Sequence, residues 1–304
     1  MAGGQHGGSV RAILYALCAN LGIAIAKSVA AWFTGSGSML AEAIHSFADT
    51  ANQVLLFIGL KQAQRPADDE HPLGYGKSSY FFSFVVALLL FSMGGVFSIY
   101  EGWHKLSHPE PLSHAWVAVL VLVLGILLEG ASLMGCLNEI KKLRGERSLW
   151  HWLKHTRSAE LVVVLGEDLG AQLGLMLALV FVALAWLTGN PDYDALGSIS
   201  IGVVLIAISI FLGIRMYSLL VGRSADPDLD SLIDDLIGAD DSIVEVFNTI
   251  TVRLGPDVML AAKVRMQAGL SCNAAVDCIN SLERRIKQAL PEVRWIFMEP
   301  DVAD

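Results

Sequence analysis

Charged side chains are scarce in this sequence: 17% of its 304 residues, where a soluble domain carries roughly 25%. With 54% of residues apolar and a mean hydropathy of +0.54, disorder is excluded and a soluble enzyme is not expected. Basic residues are most outnumbered toward the end, where residues 223–304 hold 8 Lys and Arg against 15 Asp and Glu. No basic stripe is available for nucleic acid, so that class of partner is excluded. The four cysteines, Cys18, Cys136, Cys272 and Cys278, form no CxxC pair and read as free thiols in a reducing setting. No charged n-region precedes an apolar run in the first nine residues, so a cleaved signal peptide is not expected. Nor is there a Ser/His, Cys/His or Gly-x-Ser-x-Gly nucleophile arrangement, and we expect no enzyme.

What is abundant is long apolar sequence. Six stretches approach the ~20 residues that a membrane-spanning helix needs: 10–33, 39–60, 75–103, 115–137, 159–187 and 193–220. Lys61, Arg65 and Lys77 flank the second connector, and Lys141, Lys142, Arg144, Arg147, Lys154 and Arg157 crowd the fourth. The other connectors hold almost no positive charge, so both termini are expected in the cytoplasm. The expected fold is an α-helical membrane protein with six transmembrane helices, residues 1–222, in the lipid bilayer. A cytoplasmic domain, residues 223–304, follows.

Ionisable residues inside such spans are costly and call for a reason. In the second span His45 and Asp49 are four apart on one helical face, with Glu42 a turn outward. Counting ~1.5 Å per residue from the ends of their spans, Asp49 lies about 16 Å deep and Asp168 about 13 Å deep. Both therefore reach the midplane of a ~30 Å hydrocarbon core, and Glu167 adjoins Asp168. One imidazole with two or three carboxylates suits a divalent transition metal. A proton relay without metal and a set of interhelical ion pairs are the other readings of the same residues. Lys27 and Glu42 share an outer depth and are expected to pair. Glu129 reads as either the wall of a cytoplasmic entrance or a rim residue, and Asn20 and Asn52 as polar glue between helices. Asp68 and His71, in the cytoplasmic connector, read from spacing as part of a solvated Pro- and Gly-shaped turn.

The composition changes after Gly222. Asp226-Pro-Asp opens a helix to about Gly238; alternating residues over 244–254 and 258–267 read as strands around a Gly255-Pro256 turn. A helix over about 273–290 and a strand over 293–298 complete an α-β-β-α-β unit, an α+β fold of the ferredoxin or metallochaperone kind. It is small enough that pairing with a copy of itself is expected.

Taken together, Gly37-Ser-Met-Leu-Ala-Glu42-Ala-Ile-His45-Ser-Phe-Ala-Asp49, His71-Pro-Leu-Gly-Tyr-Gly, Leu128-Glu-Gly-Ala-Ser-Leu and Val164-Leu-Gly-Glu167-Asp168 resemble the cation diffusion facilitators. So do Gly189-Asn-Pro-x-Tyr-Asp194 and Leu220-Val-Gly-Arg-Ser224, and the branch containing zinc transporter nine is the one most resembled. The resemblance implies a homodimeric antiporter that moves zinc or a similar divalent cation out of the cytoplasm against protons, with no prosthetic group. It implies a transport site at His45, Asp49 and Asp168 and a connector site at Asp68 and His71. Three departures stand out: Val164 occupies a position where many members have His, with Glu167 nearby; Tyr75 replaces a connector His; and the tail holds no His. A membrane-anchored metal sensor or scaffold is the competing function, and Mn, Fe, Co or Cd the competing cargo. The N-terminal residues lead us to expect a bacterial inner membrane.

Overall fold

The computed structural model describes residues 5–109, 112, 114–156 and 158–303, with side chains from residue 20 onward. Arg157 and the side chain of Cys18 lie outside the described residues; Cys136, Cys272 and Cys278 are free thiols. The chain separates into two compact units. One holds the chain up to Ile58 with Phe82–Glu146 and Glu160–Arg215, and the other holds Gly59–Phe81, Arg147–Ala159 and the chain from Met216 onward.

The first unit is helical, built from all or most of α1 (Gln5–Thr34), α2 (Gly37–Ala63), α3 (Ser78–Leu89), a π-helical segment (Leu90–Val96), α4 (Phe97–Ser107), α5 (Ala115–Arg144), α7 (Ala159–Thr188) and α8 (Asp192–Val221). Among the described residues, four stretches are long and apolar enough to cross a membrane: Ser78–Ser107, Ala115–Arg144, Ala159–Thr188 and Asp192–Val221. The expected count was six. Glu42, His45, Asp49, Asn52 and Gln53 fall within the first two thirds of α2 and lower its hydropathy. The π-helical segment, which carries Gly94 and Gly95, was not foreseen. Nothing in an apolar run announces a widened turn, a feature that recurs at functional sites.

Glycines let these helices approach closely. A Cβ on Gly95 would overlap Ile206, one on Gly202 would meet Gly95 O, and one on Gly102 would meet Ala195 O. Such small-residue contacts draw membrane helices together where no hydrophobic force acts between them. Asp194, in the first turn of α8, caps α2 instead of its own helix. It accepts from Ser36 Oγ at 2.6 Å, Gly37 N at 2.6 Å and Ser38 N at 3.2 Å. Three donors at the positive end of a helix compensate a buried carboxylate.

The second unit contains a short helix α6 (Leu149–His155), capped by Ser148, inside what the sequence presented as a plain connector. Its main body is α9 (Pro227–Gly238), β1 (Ile243–Leu254), β2 (Asp257–Met266), α10 (Cys272–Ala289) and β3 (Val293–Pro300), the α-β-β-α-β order expected. The sheet order is β1-β2-β3, with β1 and β2 antiparallel and β2 and β3 parallel. Leu229, Ile233 and Ile237 of α9 and Leu282 and Ile286 of α10 bury against Val258, Leu260 and Val264 of β2. Irregularities at Ile243/Glu245 and Val246/Asn248 break the alternation along β1, so Thr251 turns inward while Ile250 stays 51% exposed. In the same unit the Tyr80 hydroxyl donates to Gly255 O at 3.2 Å and accepts from Gly255 N at 3.0 Å. Gly76 lies against Leu254 and Gly255 so tightly that a Cβ there would overlap backbone.

Candidate metal centre

The helical period sets the ligand face of α2. His45 and Asp49 lie one turn apart, and His45 Nε2 is 3.5 Å from Asp49 Oδ2, outside hydrogen-bond geometry. His45 is 0% exposed, and its Nδ1 faces the Gly94 position of the π-helical segment. On α7, Glu167 and Asp168 are adjacent and therefore splay. Glu167 Oε1 accepts from Asn52 Nδ2 at 2.6 Å, and Asp168 Oδ1 accepts from Ser132 Oγ of α5 at 3.3 Å.

Asp49, Glu129, Glu167 and Asp168 line one cavity of about 80 Å³, together with Asn20, Ser46, Gln53, Ser132 and Val164. That volume exceeds what a single water requires. The lining has four carboxylates and no Lys or Arg. The expected donors Asp49, Glu167 and Asp168 thus meet at one place, with His45 against Asp49. Among the described residues, no group of three His, Cys, Asp or Glu closes tightly enough to hold a metal ion. The donors border a space and do not yet converge on a point. Among the described residues, His45 Nδ1 and Nε2, Asp49 Oδ1 and Asp168 Oδ2 have no hydrogen-bond partner. Buried polar atoms left in this way mark the face that a ligand would meet.

Among the described residues, Lys27 makes no ion pair with these carboxylates. Its Nζ lies 3.3 Å from Glu42 Oε2 and 2.7 Å from Ser46 Oγ, the expected outer ion pair. Glu129 lines the same cavity. Asn52 bridges α2 and α7 as polar glue, but its partner is the candidate donor Glu167. Ser132 and Gln53 were missed, although Gln53 follows Asp49 by four residues on the same face.

Asp68 and His71 belong to the second unit, and both are exposed. His71 Nδ1 is 3.4 Å from Asp68 Oδ1, which also accepts from His71 N at 2.8 Å. Tyr75 donates its hydroxyl to Asp68 Oδ2 at 2.7 Å and packs its ring 4.2 Å from that of His71. The Tyr75 hydrogen bond, followed by that from the His71 backbone, holds the Asp68 carboxyl below its ordinary pKa. The geometry is that of a closed turn in which both carboxylate oxygens are already engaged.

Residues 13–221 match the family model described as the cation efflux transmembrane domain. The mitochondrial proton-coupled zinc antiporter SLC30A9 of Xenopus laevis is 34% identical over 299 residues, 97% of this chain and 52% of that protein. Metal tolerance protein C4 of Arabidopsis thaliana is 31% identical over 284 residues, 92% of this chain and 60% of that protein. The cation-efflux pump FieF of Shewanella oneidensis is 27% identical over 277 residues, 90% of this chain and 87% of that one. The chain therefore spans about half the length of the antiporter that it matches.

Proposed function

This chain belongs to the cation efflux family, the cation diffusion facilitators, and on that premise we propose that it exports a divalent metal ion in exchange for protons. It is a multi-pass integral membrane protein whose family members are transporters, not enzymes. One observation carries the proposal: four carboxylates and no Lys or Arg line a cavity beside a buried imidazole. Neutral imidazole and ionised carboxylate take up a dication, and their protonated forms release it. His45, Asp49, Glu167 and Asp168 would thus hold metal or protons in turn, and alternating access would convert that exclusion into exchange.

The proposal takes α1, α2, the Ser78–Ser107 stretch, α5, α7 and α8 as six spans with both termini cytoplasmic. Residues 1–222 form the transport domain, and residues 223–304 a dimerisation domain whose apolar sheet face, with Ile250 and Phe297 exposed, meets a second copy. With no His in the tail, that pairing should be insensitive to chelator. Zinc is the proposed cargo, as the name of SLC30A9 states for that protein. Metal at Asp68 and His71 is the weaker part of the proposal, because their turn is already satisfied by its own hydrogen bonds. A bacterial inner membrane is the proposed location. The mitochondrial relative supports a second location, with the charged connectors on the matrix side.

The experiment is zinc-dependent proton flux in proteoliposomes. Wild type should move protons against zinc, and Asp49→Ala and Asp168→Ala should each abolish the flux while still inserting. Full flux in either variant would overturn the midplane site, and no flux in wild type would favour the sensor or scaffold reading. Zn, Mn, Fe, Co and Cd compared in one assay would assign the cargo.

A further inference from the structure

A pair of imidazoles, His104 and His108, stands at the end of α4, and neither has been considered as a donor so far. The backbone of His108 closes the last turn by donating to His104 O at 3.0 Å, so the two residues sit one turn apart on one face. Their ring centroids are 5.1 Å apart at an interplanar angle of 28°. Tyr100, one turn earlier, has its ring centroid 6.3 Å from that of His104 and extends the same column. Both imidazoles are exposed, and among the described residues neither ring is engaged by a hydrogen bond or an ion pair.

The charges around the pair suit a cation. Lys105, between the two histidines in sequence, directs its amine elsewhere: it donates to Gly35 O and lies 3.7 Å from Asp194 Oδ2. The imidazole face therefore carries no ammonium group of its own helix. The pair also sits at the C-terminal end of α4, where the carbonyl ends of the helix favour positive charge. Two histidines at i and i+4 on one helical face is the spacing that holds zinc-type ions. An aromatic belt at the membrane interface accounts for Tyr100, Trp103 and Trp116. It gives no reason for two imidazoles in register whose rings, among the described residues, accept or donate no hydrogen bond.

We infer that His104 and His108 form a second divalent transition-metal site, exposed and separate from the midplane cavity. Two ring nitrogens with water completing the shell suit Zn²⁺, Co²⁺, Ni²⁺ or Cu²⁺; Mg²⁺ and Ca²⁺, which need oxygen ligands, are excluded. In the orientation proposed above, this is the face where exported metal emerges. The binding itself rests on the pair's geometry and stands whether or not the protein transports.

The test is a carbethoxylation footprint of the full chain in detergent micelles, with His104 and His108 followed by mass spectrometry. Zinc should slow modification of both residues; magnesium should not. The protection should persist in Asp49→Ala/Asp168→Ala, where the midplane donors are gone. His104→Ala should remove it from His108. Loss of an outer-shell partner alone costs ~10–100-fold in metal affinity, so losing one of two ligands should raise the zinc needed by at least about tenfold. Modification rates indifferent to zinc would overturn the site. So would protection that vanishes in Asp49→Ala/Asp168→Ala, or that survives at His108 in His104→Ala. Failure of the transport reading alone would leave these rates unchanged.

Discussion

Replacing Lys27 with Met separates the charge of the outer ion pair from the space its side chain fills. Lys27 and Glu42 are each 0% exposed; the ammonium is 3.3 Å from Glu42 Oε2, and its second partner is Ser46 Oγ at 2.7 Å. Gly174 makes room for the Glu42 carboxylate, since a Cβ there would overlap Oε1, and Gly125 faces the Lys27 stem. Lys27→Met keeps most of the stem and strands a buried carboxylate whose Oε1 already has no hydrogen-bond partner among the described residues. Removing one member of a buried pair costs about 3–5 kcal/mol, and Glu42→Leu, which strands the ammonium, should cost a similar amount. The double variant buries no charge, so its cost should fall below the sum of the singles by at least about 2 kcal/mol. Unfolding of the purified protein in mixed dodecyl maltoside and SDS micelles, followed by tryptophan fluorescence, measures all four corners of the cycle. Additive losses would refute the reasoning, because they would mean that the two charges do not compensate each other in the fold.

Glu167→Ala should cut metal transport severely, and Val164→His added to it should restore zinc transport in particular, because the imidazole would face the cavity that Val164 already lines; wild-type transport of every metal by Glu167→Ala would leave only three protein ligands. Tyr80→Phe takes away the acceptor of the buried Gly255 N–H, while Gly255 O keeps its bond from Arg253 Nε at 3.0 Å, and it should cost about 1–3 kcal/mol, the penalty for one buried group left unpaired. Faster amide exchange at Gly255 would report it; unchanged exchange would show that the bonds carry nothing. Burial raises the Asp240 carboxyl, but the Ser242 backbone bond and the Arg285 guanidinium outweigh it and leave the group below its ordinary 3.8. Its contribution is complete above that value and is lost as pH falls through the lower folded value, so Asp240→Asn should flatten the acid limb of a circular-dichroism titration below about pH 4.

What was legible in the sequence, and what was not, divides by the range of the interaction. The tail was readable because each of its elements carries its own period. Leu282 and Ile286 repeat at helical spacing and are buried together, and Val258, Leu260, Ala262 and Val264 alternate as β2 requires. The exception is β1, where two irregularities turn Thr251 inward, and no period can announce a bulge. In the membrane-type unit, depth arithmetic placed Asp49 and Asp168 at one level because it needs only the rise of a helix. The groups that hold those donors escaped it. Asn52 is three residues beyond Asp49 on the same face, so its presence at the site was readable, but its bond to Glu167 depends on the rotation of α7, which α2 does not encode. Ser132 reaches Asp168 from a third helix, and Gly94 faces His45 from a π-helical turn with no marker in its own sequence. A single helix therefore announces which of its faces carries costly side chains. Whether those side chains meet a metal ion, a proton or one another is decided by the helices opposite. That is why the Lys27–Glu42 pair, closed on itself, and the Asp49–Asp168 cavity, lined with unpaired atoms, read so alike in sequence and differ so much in the fold.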